Sequence, residues 1–509
     1  MINEISVDKL NKLSKKKKIW CIGCGKRLYE LNDLYMQEKF IKHVDVLLDN
    51  DKHLWGKTQN IGNKTLIIEN PYKLYKNKME IVLLITSDHY NEIFESVKKY
   101  IENQKVTVYR YPQVYSKWTN ILFRIAGCFP MKRQLLFYAG KEPHDNADEI
   151  VRYLNSTYSK KMYTVIYLED ENHCNINGIK FLNKWTIRKK SSFIKLFIYC
   201  FMYSRSKYLL YENEALTKVN NKQKLIYLNH GTIPLKNVSD VLKQPESVDY
   251  ATCPGEGCAD LYEKQYGIIK SKNIYMMPAR VNHMLECKGK LHNICNAENK
   301  QIILWLPTFR QLVQSSRKDS KIVDPILLLR ENFEYVHDFL KRNNQIIAIK
   351  KHPREKIDLE IPPNSTNIIV LSEKILNSEG VCLQELLKDA DALLTDYSGI
   401  SFEYMLLDKP IGYVLYDIQS YYRGFSVENI DEYMPGKKIK DISDLICFLK
   451  FVKQNKDDFK IDRKLLVNKL FDKHAYKNGA KELIDFLDKE EQNGRKNTYR
   501  TKRVSVKRL

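Results

Sequence analysis

Short apolar runs that end in polar turns and lead into helical stretches recur along most of the chain. The pattern is complete in LLTDYSGISFEYMLLDKPIGYVLYD, residues 393–417, where an apolar run, a polar turn, a helical stretch, a Lys-Pro break and a second apolar run follow one another. Strands that alternate with helices are typical of parallel sheets, because a parallel connection needs a crossover of about a dozen residues or more. The sequence therefore predicts an α/β fold.

The chain is long enough for more than one hydrophobic core. Its 509 residues exceed the roughly 250–300 residues at which single cores stop growing. We predict three α/β units and a tail, in residues 1–116, 117–285, 286–490 and 491–509. The first unit is expected to be Rossmann-like. The tail contains seven Lys or Arg and one Glu, so we expect it to be disordered and attracted to anionic surfaces.

The first predicted strand, around IWCI, is followed by two glycines. Gly23 and Gly25 form the pattern G-x-G-x-x-L, in which Leu28 occupies the third glycine position of the dinucleotide-binding fingerprint. The glycines either only shape a tight turn or help to bind a small molecule or nucleotide. Cys21 and Cys24 have no second ligand pair at zinc spacing, so we expect thiols in a reducing compartment.

The charge balance indicates an anionic partner. Lys and Arg number 84 against 62 Asp and Glu, a net charge of +22, which suits nucleic acid, a lipid headgroup surface or a phosphorylated substrate. The basic and aromatic stretch 191–210 predicts either a helix lying on an anionic bilayer or a packed core helix, and we favour the core helix. No run reaches about 18 apolar residues and the first residues lack a signal-peptide core, so a cytoplasmic protein without a spanning helix is expected.

Polar residues that suit phosphate chemistry follow the predicted strands. In open α/β sheets, ligands bind beyond the carboxyl ends of the strands, so these residues are expected to share one crevice. Small residues at a helix start let a phosphate reach unpaired N–H groups, although an ordinary serine cap would look the same. The residues concerned are His230, Gly231, Thr232, Arg310, Lys350, His352, Asp396, Ser398, Gly399 and Ser401.

These residue types suit phosphoryl transfer, which depends mostly on positioning and charge stabilisation. The imidazole of His230 beside a flexible glycine suits a general base, although a lone histidine after a strand is more often structural. The planar fork of Arg310 suits phosphate oxygens. Of the two lysines that end one strand, Lys350 is the one we expect to face the crevice. No cluster of carboxylates demands a metal, so transfer without a metal ion or cofactor is expected.

Five motifs in order resemble one known family. NHGTIPLK, PTFR, KKHP, TDYSGISFEYMLLDKPIGYVLYD and YRGF resemble the CDP-glycerol:poly(glycerophosphate) glycerophosphotransferases, the teichoic-acid primase and polymerase family, over residues 138–487. The resemblance implies a GT-B-like pair of Rossmann-like domains, with residues 117–285 on the acceptor side and residues 286–490 binding the CDP donor. Residues 1–116 are then an additional Rossmann-like domain.

The resemblance also implies an activity. Glycerol phosphate, or a related polyol phosphate such as ribitol phosphate, would pass from a CDP-activated donor to the hydroxyl end of a teichoic-acid-like or capsular polymer or a lipid-linked acceptor, with release of CMP. Such enzymes act peripherally on the cytoplasmic face of the membrane, which agrees with the basic charge.

By position, His230 matches the family's proposed base, and His352 and Arg310 match residues expected near the donor phosphates. Asp396 and Ser398 match the acidic residue and the first serine of the helix start, whereas Glu403 stands where the family usually has Asp. Other departures from the family pattern are Asn229 in place of a frequent Trp, Gly399 in place of a second serine, and Asn478 in place of Asp.

Two alternatives stay open at this point. A GT-B glycosyltransferase that uses a nucleotide sugar for cell-surface polysaccharide synthesis would have a similar basic cleft. A basic nucleic-acid-binding protein would explain the charge, but the aromatic residues do not recur with basic ones in an RNA-binding motif, so no nucleic-acid partner is expected. The oligomeric state is left open.

Overall fold

The computed structural model describes residues 3–4, 10, 12–24, 28, 43–61, 64–87, 90–102, 104–110, 117–138, 144–157, 164–169, 180–183, 193–213, 215–229, 231–239, 242–310, 319–322, 324–352, 355, 361–362 and 365–506. The strands are β1 (Asn3–Glu4), β2 (Lys18–Ile22), β3 (Val44–Leu48), β4 (Thr58–Ile61), β5 (Lys64–Glu69), β6 (Ile81–Ile85), β7 (Val106–Arg110), β8 (Lys132–Tyr138), β9 (Thr164–Glu169), β10 (Lys180–Asn183), β11 (Ser206–Tyr211), β12 (Lys224–Tyr227), β13 (Tyr250–Cys253), β14 (Asn273–Tyr275), β15 (Gln301–Leu306), β16 (Gln345–Lys350), β17 (Ile368–Leu371), β18 (Ala392–Thr395), β19 (Ile411–Val414) and β20 (Lys437–Ile439).

The helices in the described residues are α1 (Tyr90–Ile101), α2 (Lys117–Gly127), α3 (Asn146–Thr157), α4 (Phe193–Arg205), α5 (Ala259–Tyr266), α6 (Ala279–Glu286), α7 (Leu291–Ile294), α8 (Leu327–Glu331), α9 (Phe333–Arg342), α10 (Glu373–Ser378), α11 (Leu383–Asp389), α12 (Ile400–Tyr404), α13 (Ile442–Lys453), α14 (Lys460–Phe471) and α15 (Gly479–Val506).

The strands form three sheets, which confirms the α/β prediction. The first sheet has the order β1-β7-β6-β2-β3-β5-β4, the second β10-β9-β8-β11-β12-β13-β14 and the third β17-β16-β15-β18-β19-β20. Neighbouring strands are parallel except for the antiparallel pair β4 and β5. The domain boundaries given above remain predictions.

The third sheet shows why the sequence pattern was informative. Helices cover both faces of a parallel sheet, so its strands read as continuous apolar runs instead of alternating ones. Residues Ile302, Ile303, Leu304 and Trp305 of β15 are all buried accordingly. The strand order reverses between β15 and β18, and the loops at the carboxyl ends of such a pair form the usual ligand crevice of an open α/β sheet.

The stretch 191–210 is only partly a core helix. In α4, Tyr199, Cys200 and Tyr203 are buried, but Phe193 and Ile194 are 65% and 69% exposed. The first turns of the helix therefore present an apolar surface, whereas the last turns pack inward. Among the described residues, no helix combines the length and hydropathy that crossing a bilayer would require.

The end of the chain also differs from expectation. Residues expected to form a disordered tail continue α15 through Val506. This helix begins with Gly479, whose N–H donates to Asn282 Oδ1 at 2.8 Å, and its Leu483, Ile484 and Leu487 lie in the core of the second sheet. A docked first half lowers the cost of extending a helix, because the first turns are already formed.

Candidate functional site

The loop after β12 lies against loops at the carboxyl ends of the third sheet. Its segment 231–237 contains Gly231, Thr232 and Lys236, whereas His230 lies outside the described residues. The Nζ atom of Lys236 lies 5.6 Å from the centroid of the Phe309 ring, in the loop after β15. Lys236 also forms an antiparallel bridge with Phe425, so the NHGTIPLK, PTFR and YRGF motifs meet at this loop.

A glycine allows a close approach between this loop and the loop after β18. A Cβ atom at Gly399 would lie 2.5 Å from the carbonyl oxygen of Ile233. No real Cβ contact is that short, so this approach requires glycine, which gives a physical reason for the absence of the family's second serine.

Replacing Gly399 with Ala is therefore expected to destabilise the protein by about 1–3 kcal/mol, the usual cost of overpacking. The midpoint of denaturant unfolding measures the change. Gly127→Ala is a matched control, because its Cβ would meet only one atom, Asn220 Nδ2, at an ordinary 3.9 Å. An unfolding midpoint for Gly399→Ala equal to that of the control would contradict the close approach.

Arg310 lies at the centre of a buried polar cluster formed by loops at the carboxyl ends of the third sheet. Its side chain is buried, and its guanidinium donates from Nη1 to Asp396 Oδ2 at 2.8 Å and from Nε to Asp417 Oδ2 at 2.7 Å. Thr308 adds to the same cluster by donating its N–H and hydroxyl to Asp396 at 3.0 and 2.9 Å. Burial opposes the positive charge, but Asp396 and Asp417 outweigh it and raise the pKa of Arg310 above its ordinary value.

This environment favours a positioning role for Arg310 and Asp396. Both groups already form hydrogen bonds to each other and to neighbouring loops, so the guanidinium fixes where the loops after β15, β18 and β19 stand. The Tyr397 hydroxyl donates to Asp417 Oδ1 at 2.9 Å, and its ring lies 4.3 Å from that of Tyr421. The cluster thus extends to the segment that carries the YRGF motif.

His352 lies beside the same loop. Its imidazole centroid is 5.0 Å from that of Phe309, with the rings at 65°, so Phe309 has His352 and Lys236 as neighbours. Lys350, in contrast, has its Nζ atom 3.5 Å from Glu373 Oε1 of α10. Of the basic groups predicted at the end of β16, the structure therefore places His352 against Phe309, which Lys236 of the second-sheet loop also approaches, and pairs Lys350 with a carboxylate.

The serines after β18 are less exposed than expected for a helix start that binds phosphate. Ser398 is half-buried and its Oγ accepts from the N–H of Ile400 at 3.4 Å, whereas Ser401 is buried and donates to the Ser398 carbonyl at 3.0 Å. The helix they introduce, α12, contains five residues. Its short length gives little dipole for an anion, so Ser398 is the better placed of the two for contact with a ligand.

Hydrogen bonds hold the residues on either side of His230. Asn229 is buried with a φ of 57°, and its Oδ1 accepts from the N–H of Gly231 at 3.1 Å. Its Nδ2 donates to the Tyr262 hydroxyl at 2.6 Å, and that hydroxyl donates to the Thr232 carbonyl at 2.6 Å. Asn229, where the family often has Trp, therefore shapes the turn at this position.

A chain of buried polar contacts joins the second and third sheets beneath this loop. Glu403 Oε1 accepts from the hydroxyl of Thr232 and from the guanidinium of Arg280, whose Nη1 donates to Asp145 Oδ1 at 3.2 Å. Glu403 Oε2 is buried and has no hydrogen-bond partner among the described residues. The chain links Thr232 and Glu403, two predicted site residues, through Arg280 and Asp145.

Sequence reasoning missed Arg280 and Asp145. Asp145 lies between β8 and α3, and Arg280 lies in the first turn of α6, directly after β14. Both therefore follow the rule that polar residues beyond parallel strands face the crevice. Applying that rule to the second sheet as strictly as to the third would have found them.

A small pocket lies beyond the carboxyl ends of the second sheet. Its lining includes Asn146, Asn229, Gly231, Thr252 and Tyr262. Amide and hydroxyl groups share the lining with apolar side chains, including Leu228 and Met276, and no charged side chain lines the pocket among the described residues, so it suits hydroxyl groups better than phosphate. The pocket is next to segment 231–237, because Gly231 is part of its lining.

Comparison with known proteins identifies relatives. The model of the CDP-Glycerol:Poly(glycerophosphate) glycerophosphotransferase family matches residues 121–488. A teichoic acid glycerol-phosphate primase of Bacillus subtilis is 27% identical over 245 residues, 48% of this chain and 58% of that protein. A primase of the same name from Bacillus spizizenii is 34% identical over 152 residues, 30% of this chain and 35% of that protein. The matches thus span less than two thirds of either relative.

Solved structures show the same fold. The wall teichoic acid polymerase TagF has a TM-score of 0.55 at 16% identity, over 80% of this chain and 98% of that one. A variant of TagF soaked with CDPG has a TM-score of 0.52 at 16% identity, again over 80% and 98% of the two chains.

Proposed function

The chain belongs to the CDP-glycerol:poly(glycerophosphate) glycerophosphotransferase family, and on that basis we propose that it transfers glycerol phosphate or a related polyol phosphate from a CDP-activated donor. The acceptor is the hydroxyl end of a teichoic-acid-like or capsular polymer, or of a lipid-linked unit, and CMP is released. The observation that carries this proposal is the meeting of the family's motif loops around segment 231–237. The second and third sheets then form the GT-B-like pair, with the donor held by the third.

The proposed reaction is an in-line displacement. His230 removes the proton of the acceptor hydroxyl, and the resulting oxygen bonds to the phosphorus that bears the polyol. The bond from that phosphorus to the bridging oxygen breaks, and CMP leaves with the electron pair. His352 and Lys236 supply positive charge at the developing phosphate oxygens, and Ser398 supplies a hydroxyl donor.

Other residues act by positioning. Arg310 with Asp396 and Asp417 fixes the loops of the third sheet, and Gly399 allows the loop from the second sheet to approach them. Arg280 and Glu403 hold Thr232, two residues after the proposed base. Because these groups are already paired, their part is to reduce the freedom of the reacting groups, which is a large source of rate enhancement in such reactions.

A donor screen tests the proposal. The protein is incubated with CDP-glycerol, CDP-ribitol, UDP-sugars or CMP-sugars, each with and without a glycerol-phosphate oligomer as acceptor, and released nucleotides are measured by mass spectrometry. We expect CMP from a CDP-polyol in the presence of the acceptor. Nucleotide release from sugar donors alone would indicate a glycosyltransferase, and binding of oligonucleotides without any donor turnover would indicate a nucleic-acid-binding protein. Either result would overturn the proposal.

We further propose that the protein works at the membrane surface through α2 and α4. These helices pack together, as the Phe123 and Tyr203 rings at 5.6 Å show, and both expose apolar side chains. The exposed set comprises Ile121, Ile125, Phe193, Ile194 and Ile198. Apolar side chains beside basic ones, on a chain of charge +22, suit an anionic lipid interface.

Replacing Phe193 and Ile194 together with Glu is expected to weaken binding to vesicles that contain phosphatidylglycerol by at least about tenfold, since each buried side chain contributes about 1.5–3 kcal/mol. Vesicle sedimentation measures the change. Ile461→Glu is the control, because Ile461 is 73% exposed and lies on a different helix, α14. Equal binding by the double variant and the control would exclude this surface.

A further inference from the structure

Three metal-ligating side chains meet at the junction of the second and third sheets. One ligand atom from each of His144, His283 and Cys382 lies within 4.8 Å of the others. His144 precedes α3 and His283 is on α6, both beside the second sheet, whereas Cys382 is the N-cap residue of α11 beside the third. The reaction proposed above uses none of the three.

The two imidazoles share one carboxylate. Glu149 Oε1 lies 2.7 Å from Nδ1 of His144 and 3.8 Å from Nδ1 of His283. The rings are stacked with centroids 3.9 Å apart and planes at 14°. A carboxylate at one ring nitrogen is the usual companion of a metal-binding histidine, because it orients the ring and leaves the other nitrogen for the metal.

The other nitrogen of His283 is unsatisfied. Nε2 of His283 is buried and has no hydrogen-bond partner among the described residues. Leaving a buried polar atom unpaired costs about 1–3 kcal/mol, so such atoms call for an explanation. A bound metal ion would remove that cost.

We propose that His144, His283 and Cys382 bind one Zn²⁺ ion that ties the second sheet to the third. Two imidazoles and a thiolate are a borderline-soft ligand set that suits zinc, with water as the fourth ligand. The ligand atoms would close by about 1 Å to reach zinc bonds of about 2.0–2.3 Å. On binding, the Cys382 thiol releases its proton to solvent and the sulfur donates an electron pair to the ion.

The position of this zinc site gives it a structural effect on the crevice. His144 adjoins Asp145 in sequence, and His283 follows Arg280 by one helical turn, so the ion would sit behind the Asp145–Arg280–Glu403 contacts. Ligands from both sides of the junction would hold these contacts in register. The ion would act only through these contacts and not on the reacting atoms, so metal binding is measured by itself and a failure of donor turnover would not decide it.

Metal titration of the full chain tests this proposal. The protein is stripped with a chelator and titrated with Co²⁺, and then with Zn²⁺ against a chromophoric competitor. We expect one equivalent of metal, a sulfur-to-cobalt charge-transfer band, and displacement of Co²⁺ by Zn²⁺. Cys382→Ser should abolish the band and lower the affinity at least about tenfold, and Glu149→Gln should lower it about 10–100-fold.

The variants are chosen so that folding does not confuse the result. Serine is a favoured N-cap residue, so Cys382→Ser keeps the start of α11 while removing the soft ligand. Cys128→Ser and His53→Gln are matched controls at exposed positions. Absence of the charge-transfer band in the unmodified protein, or equal loss of affinity in Cys128→Ser and Cys382→Ser, would overturn the proposal.

Discussion

Replacing Arg310 with Met is expected to lower the free energy of opening of the third sheet by about 3–5 kcal/mol. The substitution keeps an unbranched apolar side chain but removes the guanidinium and its charge, so Asp396 and Asp417 remain buried without their cation. Arg310 is 1% exposed, and both of its ion pairs lie in the interior, where solvent cannot replace them. The loops after β15, β18 and β19 should lose their common anchor.

Hydrogen exchange of peptides from β15 and β18 is the suitable measurement, because it reports local opening in a chain with several sheets. Arg330→Met is the matched control. Its ion pair with Asp324, at 2.9 Å, has an arginine side chain 41% exposed, and such pairs contribute about 0–1 kcal/mol. If both variants exchange alike, the buried pairs contribute little, and Arg310 would have to be considered a ligand-binding group.

The second large effect is expected at His230. If this histidine removes the proton of the acceptor hydroxyl, His230→Ala should lower kcat for CMP release by about 10²–10⁴-fold, with KM for the donor little changed. The reason is that proton removal is needed in the transition state but not for donor binding. Steady-state release of CMP from CDP-glycerol with a glycerol-phosphate acceptor measures both constants.

His53→Gln is the control for this experiment, since His53 is exposed and lies between β3 and β4 of the first sheet. Donor binding by the His230→Ala protein, followed by calorimetry, separates lost chemistry from lost folding. Turnover by His230→Ala equal to that of the unmodified protein would remove the assignment of the base while leaving the family membership intact.

Strands and their polar ends were predictable because burial on both faces forces continuous apolar runs. For that reason the sequence predicted the buried strand at Ile302–Trp305 and the polar turn at Asp396. Partners distant in sequence could not be predicted. No residue near Arg310 in the sequence indicates that it pairs with Asp417, which lies after β19. The cluster of His144, His283 and Cys382 was not predicted for a similar reason, because its members come from three separate elements and show none of the short spacings of local zinc motifs.

Composition also misjudged amphipathic segments. The apolar content of α4 favoured a core helix, but the first turns project beyond the neighbouring elements, and only packing decides which turns are covered. The tail looked disordered because of its charge, yet it continues a docked helix, and the docked part lowers the cost of extending the helix. Local composition therefore identified the apolar and the charged character of these segments, but it did not predict which turns of α4 are exposed or that the tail continues a helix.

The return of α15 to the second sheet sets an order of events during synthesis. Leu483, Ile484 and Leu487 complete a core whose other members, such as Leu135 and Phe137, leave the ribosome far earlier. About 200 residues must be translated between β14 and this helix, which takes about 10–40 s at about 5–20 residues per second. Throughout that interval the second sheet exposes an unfinished apolar face, so the nascent chain should be a client of ribosome-associated chaperones until its last helix emerges.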